Sequence, residues 1–247
     1  SRAIMFKIYA SCDPVYLKEH APALIASCAH HGNNLEINCI NGSLDEEAFL
    51  LDARKRFNVI KRHWNTEFQF TLKEQFTKTE IERKSPRTIF ACDRFVTVGS
   101  KLRFGTDSYL IVDVDCFLMK HISEPESDIG IFLREPLPGT IGWEAEGSKV
   151  AAGAVYYSPK AYEFAEDVVL NILRGPYQWF LDQKALNEAY QKYKDRYSYT
   201  YFDKAFMDWE FESNTSIWTG KGSRKYDNPK YVDIKSYLTM IYSQAKI

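Results

Sequence analysis

Two carboxylates one residue apart close an apolar run near the middle of the chain, Tyr109-Leu110-Ile111-Val112-Asp113-Val114-Asp115. Side chains in a strand alternate faces, so Asp113 and Asp115 point the same way if the strand continues through them. Two like charges at the end of a buried strand repel each other and are costly to desolvate. A divalent cation between or beside them relieves both costs. Mg²⁺ and Mn²⁺ take oxygen ligands and share them with substrate phosphates. The run therefore points to metal-assisted chemistry on a phosphorylated substrate. The competing reading is a strand that ends in a polar turn.

Other residues carry chemistry of a compatible kind. In Gly220-Lys221-Gly222-Ser223-Arg224-Lys225 the glycines allow close backbone approach to a phosphate, and three cations match a diphosphate. A solvated basic loop explains the same residues. Asp182 and Gln183 begin a helix beside Trp179 and Phe180 and offer a carboxylate and an amide to sugar hydroxyls; alternatively Asp182 caps the helix. Asp13 and Tyr16 follow the first strand, at the place for a base or ribose, although Asp13 before Pro14 also makes a turn. The segment from Arg134 to Lys149 reads as a long binding loop, with Trp143 as a stacking platform and Glu144 beside it. The five His show no ligand spacing.

These groups need a scaffold, and the chain alternates strand and helix patterns. Strands are expected at Ile4–Tyr9, Leu35–Ile40, Phe57–Ile60, Tyr109–Val114, Ile129–Phe132 and Ala154–Tyr157. Helices are expected over Tyr16–His31, Asp45–Phe57 behind a Ser43/Glu46 capping box, Pro86–Leu102, Ala161–Arg174 and Trp179–Tyr193. Pro22 is awkward inside the first helix, and residues 64–85 are too charged to assign. The alternation predicts a mostly parallel sheet covered on both faces, with ligands beyond the carboxyl ends of its strands. Asp113 and Asp115 stand at such an end.

Bulk composition narrows the class. The 247 residues carry 26% charged side chains at a net charge of −1, so nothing overall steers the chain to nucleic acid. Aromatics at 15% suit a large core, or a cleft for sugars or bases. No apolar run approaches the ~20 residues of a membrane span and no signal peptide is visible. Five Cys without a CxxC pair argue for free thiols in a reducing compartment, hence a cytoplasmic protein, and against zinc.

Taken together, the order of elements and motifs resembles nucleotide-sugar glycosyltransferases of the GT-A fold over roughly residues 4–226. It is most similar to glycosyltransferase family 8, the glycogenin-like and bacterial galactosyltransferase-like enzymes. The family's opening strand and Asp-bearing turn match Tyr9-Ala10-Ser11-Cys12-Asp13, and its helix Arg matches Arg94. Its Asp-x-Asp matches Asp113-Val114-Asp115. Its Asn-Ala-Gly-Val strand matches Ala151-Ala152-Gly153-Ala154-Val155, with Ala for the Asn. Its Asp-Gln-Asp-x-Leu-Asn matches Asp182-Gln183-Lys184-Ala185-Leu186-Asn187, with Lys for the second Asp. Its His-aromatic-x-Gly loop matches Ile217-Trp218-Thr219-Gly220, with Ile for the His.

The resemblance implies an α/β, Rossmann-like single domain over residues 1–247, its nucleotide-binding half about 1–120 and its acceptor-binding half about 121–247. It implies transfer, with retention, from a nucleotide-diphosphate sugar, a UDP-sugar, to a glycan or other hydroxyl acceptor at Trp143 and Glu144. Mn²⁺ or Mg²⁺ would sit on Asp113 and Asp115, with Asp113 also at the ribose. Ser11, Asp13, Tyr16, Arg94, Gly153, Lys221, Arg224 and Lys225 would contact the nucleotide-sugar. Asp182 would orient the donor sugar, and Gln183 would stand where a nucleophile is expected. The family His is a third metal ligand, a role Ile217 cannot fill. Two other readings compete: a degenerate domain of this fold that binds nucleotide or glycan without turnover, and a phosphatase of haloacid dehalogenase type, which wants its Asp-x-Asp near the start of the chain.

Overall fold

The computed structural model describes residues 4–75, 85–212, 214–220 and 222–246. Lys221, one of the cations expected on a diphosphate, lies outside them. In chain order the elements begin with β1 (Phe6–Cys12), α1 (Pro14–His31), β2 (Asn34–Ile40), α2 (Leu44–Ile60), β3 (Phe68–Lys73) and α3 (Pro86–Lys101). There follow β4 (Ser108–Val112), β5 (Cys116–Leu118), β6 (Ile129–Leu133), α4 (Trp143–Gly147), β7 (Val150–Tyr157), α5 (Tyr162–Arg174) and α6 (Leu181–Tyr193). The chain ends with β8 (Tyr199–Tyr201), β9 (Met207–Asp208), β10 (Ile217–Thr219) and α7 (Pro229–Gln244). The architecture is α/β, as the alternation predicts. Among the described residues no helix is long and apolar enough to cross a membrane.

The chain divides into two compact units. One comprises residues 7–74, 112–123 and 203–247. Its strands β1, β2 and β3 pair in parallel, with Ile8 opposite Leu35 and Leu35 opposite Phe68. Helix α1 starts where Asp13 Oδ1 accepts the Tyr16 N–H at 2.8 Å, and stops at Gly32, whose φ of 76° suits a residue without a Cβ. It runs through Pro22 and is buried along most of its length, packed on α2, β5 and α7. Beside it, β10 pairs antiparallel with β5 and parallel with β9. The polar ends of the parallel strands are stitched together: Asn38 Nδ2 donates to Ser11 Oγ at 3.4 Å, and Thr71 Oγ1 donates to Asn38 Oδ1 at 2.7 Å.

Two expectations in this unit are corrected. Residues 57–60 are not a strand but the last turn of α2. The capping box at Ser43 and Glu46 starts a helix whose buried positions Leu50, Ala53 and Phe57 keep helical spacing. The third strand instead comes from Phe68–Lys73, within the stretch too charged to assign; its side chains are only partly buried, so its apolar signal is weak. A third correction bears on the chemistry. Strand β4 ends at Val112, and Asp113-Val114-Asp115 forms a turn before β5, so strand alternation does not align the two carboxylates.

The other unit comprises residues 1–6, 75–111 and 124–202, with strand order β4-β7-β6-β8. Strand β7 runs against β6 and β8 runs along it. The β6–β7 register shifts between Gly130↔Tyr156 and Phe132↔Ala151, so residues 152–155, with Gly153, bulge out of the ladder. Helix α5 buries Phe164, Ala165, Val168 and Ile172, while Leu173 is about half exposed. Helix α3 crosses it closely: a Cβ on Gly99 would lie 2.9 Å from the Ala165 carbonyl oxygen. Helix α6 starts at Leu181 rather than Trp179, because Phe180 has a φ of 74° that no helix accommodates.

Phe57 is fully buried against the Phe68 ring, at a centroid distance of 5.8 Å. Phe57→Ala is expected to cost about 3–5 kcal/mol in urea unfolding; a strand-end Phe at the surface would cost far less.

Candidate functional site

The turn after β4 is organised by a buried ion pair. Lys225 Nζ stands 2.7 Å from Asp115 Oδ2, with side chains 2% and 10% exposed. The Asp115 carbonyl accepts the Tyr231 hydroxyl at 2.8 Å and the Gly220 N–H at 3.3 Å. Lys225 arrives from a 3₁₀ segment, Gly222–Asp227. Its aliphatic stem runs over Gly220, where a Cβ would come within 2.3 Å of Lys225 Cδ and 3.2 Å of Asp115 Oδ2. Asp115, Gly220 and Lys225 are therefore one arrangement, gathered from three places in the sequence.

Around this pair lies a polar network. Lys225 Nζ is 5.6 Å from the Tyr16 ring centroid and 5.2 Å from that of Tyr226. Lys235 Nζ donates to His20 Nδ1 at 3.0 Å, which requires His20 to be neutral with its proton on Nε2. Nε2 stands 3.4 Å from the Tyr226 hydroxyl, and that hydroxyl donates to Glu19. Burial, then the Lys235 and Lys225 charges, lower the His20 pKa from 6.5 to about 3. Burial also lowers the Lys235 pKa. A cavity of about 430 Å³ lined by Glu19, Tyr226, Tyr231 and Lys235 opens beside these groups.

The expected cation site does not fit this geometry. A divalent ion on Asp115 needs the carboxylate oxygens and further ligands, yet Oδ2 is held by an ammonium group. Position 217, where the resemblance wants a His, is a fully buried Ile. Among the described residues no three His, Cys, Asp or Glu converge to hold a metal. Asp113 is half-buried on the same turn. Of the three cations expected on a diphosphate, Lys225 is buried on Asp115 and Arg224 is exposed. Asp13 caps α1 and Tyr16 is 42% exposed. Trp218 is buried between Phe117 and Phe211, at 6.3 and 5.3 Å between ring centroids.

The other unit holds a second cluster. Asp182 is not the helix cap; its Oδ1 accepts the Gln183 N–H at 2.9 Å and its Oδ2 lies 3.6 Å from Arg94 Nη2, both side chains buried. Gln183 Oε1 accepts from Arg134 Nη2 at 2.8 Å, and Arg134 Nε donates to the Ser148 carbonyl at 2.5 Å. The strained backbone of Phe180 precedes this pair and is pressed by Gly147, where a Cβ would lie 2.7 Å from the Phe180 Cβ. Trp143 donates its indole N–H to the Trp179 carbonyl at 3.0 Å and carries Lys184 Nζ at 4.8 Å over its ring, so one face of the expected platform is covered. Glu144 is exposed. Sequence reasoning did not single out Arg134 as a side chain, nor Glu19, His20 and Lys235. Only His20 is buried; Glu19 is exposed and Lys235 and Arg134 are half-buried, so charge at a helical or loop position gives no local signal of their partners.

The sequence matches no protein-family model and no curated protein. The fold, in contrast, matches solved structures. The glycosyltransferase GlyE of Streptococcus pneumoniae TIGR4 aligns with a TM-score of 0.61 at 13% identity, over 96% of this chain and 63% of that one. The bifunctional glycosyltransferase WbbM, in its apo structure, aligns with a TM-score of 0.59 at 12% identity, over 98% of this chain and 52% of that one. The chain thus spans between about half and just under two thirds of these proteins. It shares the fold of these two proteins.

Breaking the buried pair by Lys225→Met leaves Asp115 charged and unpartnered by Lys225, and is expected to lower unfolding free energy by about 3–5 kcal/mol. Asp115→Asn with Lys225→Met should recover most of that loss, read by a double-mutant cycle in urea. His20 sets a pH dependence. Its folded pKa of about 3 lies below the ordinary 6.5, so the folded chain binds fewer protons between these values. Stability should fall as pH drops from 6.5 toward 3, by up to about 1.4 kcal/mol per pH unit, and His20→Gln should flatten that slope.

Proposed function

We propose that the chain is a glycosyltransferase that moves a sugar from a nucleoside-diphosphate sugar, a UDP-sugar, to a hydroxyl of a glycan or small acceptor, with retention. The observation that carries this reading is the glycosyltransferase fold over 96% of the chain, with charged side chains gathered at the motif positions described above. In the reaction the bond from the anomeric carbon to the phosphate oxygen breaks, and its electron pair stays on the phosphate. The acceptor oxygen bonds to the anomeric carbon and its proton passes to the released phosphate.

Ser11, Asp13 and Tyr16 are assigned to the nucleoside, beyond the carboxyl end of β1. Lys225 and Arg224 are assigned to the diphosphate, with Asp113 at the ribose. Asp182, 3.6 Å from Arg94 Nη2, is assigned to the donor sugar's hydroxyls, together with Gly153. Gln183 is a weak nucleophile whose amide oxygen is held by Arg134; this favours front-face transfer over a covalent intermediate. Trp143 and Glu144 are assigned to the acceptor. The Mn²⁺ or Mg²⁺ implied by resemblance finds no support in the Asp115 geometry, and no step here uses it.

The test is a panel of UDP-, GDP- and TDP-sugars, followed by release of nucleoside diphosphate with and without sugar acceptors. One donor class should turn over. Asp182→Asn should lower kcat about a hundredfold while leaving nucleotide affinity within about twofold. Nucleotide binding without turnover of any donor would instead favour a domain that binds and does not transfer.

A further inference from the structure

We propose that Lys225 takes the place of the divalent cation at Asp115, so that this unit binds a nucleoside diphosphate through ammonium groups without metal. The inference rests on the glycosyltransferase reading for its ligand, and on the geometry of a single unit for everything else.

A cation is required at Asp115, because a carboxylate this buried is not left ionised alone. The structure supplies one from the chain. Lys225 Nζ is 2.7 Å from Asp115 Oδ2 and its side chain is 2% exposed, so it is a built part of the turn rather than a surface residue folded over it. Gly220 provides the channel: any Cβ there would collide with the Lys225 stem at 2.3 Å. The position from which a His would complete a metal shell holds Ile217, fully buried and without a donor atom. Ile217 offers no ligand atom, and an ammonium group occupies the Asp115 carboxylate.

The substitution also preserves what the phosphates need. An ammonium group has three N–H donors. Asp115 Oδ2 takes one, and the group also lies 5.6 Å from the Tyr16 ring centroid and 5.2 Å from that of Tyr226. Lys235 lies in the same network, with its ammonium 5.6 Å from the Tyr226 ring, the ring that also faces Lys225. Among the described residues, further charges here are Glu19, bonded to Tyr226, Asp113 on the turn and the exposed Arg224. When the donor's anomeric C–O bond breaks and its electron pair stays on the phosphate, the Lys225 N–H groups stabilise that charge by charge-assisted hydrogen bonds.

The experiment has two independent readouts on the same chain. The first is Mn²⁺ titration of the nucleotide-free protein, followed by the Mn²⁺ electron paramagnetic resonance signal. The wild-type chain should take up no Mn²⁺, and Lys225→Met should acquire a site that Asp115→Asn added to it removes. A stoichiometric Mn²⁺ site in the wild type, lost in Asp115→Asn, overturns the proposal. The second is calorimetric titration of UDP, GDP and TDP in EDTA and in Mn²⁺. The preferred nucleotide should bind with affinities within about twofold of each other in the two conditions, and about tenfold or more weaker in Lys225→Met. Strengthening by Mn²⁺ of about tenfold or more overturns the proposal. If Lys225→Met does not fold, Lys225→Arg serves instead: it keeps the charge and should keep metal-free binding. Should no nucleotide bind under any condition while the wild type still refuses Mn²⁺, the glycosyltransferase reading falls and the occupation of the metal's place by Lys225 stands.

Discussion

A carboxylate taken out of water must be neutralised, and much of one unit is arranged to do this for Asp115. Its partner, Lys225, is 110 residues away in sequence. Bringing it there requires the 3₁₀ segment that carries it, a glycine at 220 that lets its stem pass, and Tyr231 of α7 holding the Asp115 backbone from behind. Helix α7 in turn packs on α1, whose Glu19 and His20 extend the polar network through Tyr226 and Lys235. A buried pair of this sort adds little net stability, because desolvation offsets the attraction. What it adds is specificity: few other packings satisfy both charges. The second unit repeats the device with Arg94 on Asp182 and Arg134 on Gln183.

Held charge is what phosphate and sugar chemistry requires. A nucleoside diphosphate brings concentrated negative charge, and its departure from an anomeric carbon adds more. Groups already fixed and partly desolvated stabilise that charge without reorganising during the reaction. The polar residues at the ends of the parallel strands, Ser11, Asn38 and Thr71, lie where α/β sheets bind ligands. GlyE and WbbM, two glycosyltransferases whose solved structures share this fold, are 12–13% identical to the chain. At that distance the fold persists while side chains are free to change.

Local physics was legible in the chain and long-range pairing was not. The Ser43/Glu46 capping box and most of the apolar face of α5 are written within a few residues, and each is read without knowing the fold. Phe57–Ile60 misled because a short run with two β-branched residues fits a strand as well as the last turn of a helix. Strand β3 escaped because its side chains are only partly buried, so its alternation is blurred. The Asp113/Asp115 pair was found for its charge, but its geometry was misjudged, since nothing local says that β4 stops at Val112. Lys225 reads in the sequence as one of three loop cations suited to a diphosphate, with a solvated basic loop as the competing reading. Its true partner follows only from the topology that sets β10 beside β5 and brings the segment after β10 back to the turn.

The most direct measurement is a crystal structure of the chain with UDP, grown with a chelator present. The expected result is a diphosphate oxygen about 3 Å from Lys225 Nζ, with Asp115 still paired to it and no metal density. A nucleotide bound away from this turn, or a metal ion on Asp113 and Asp115 with Lys225 displaced, would contradict the reading.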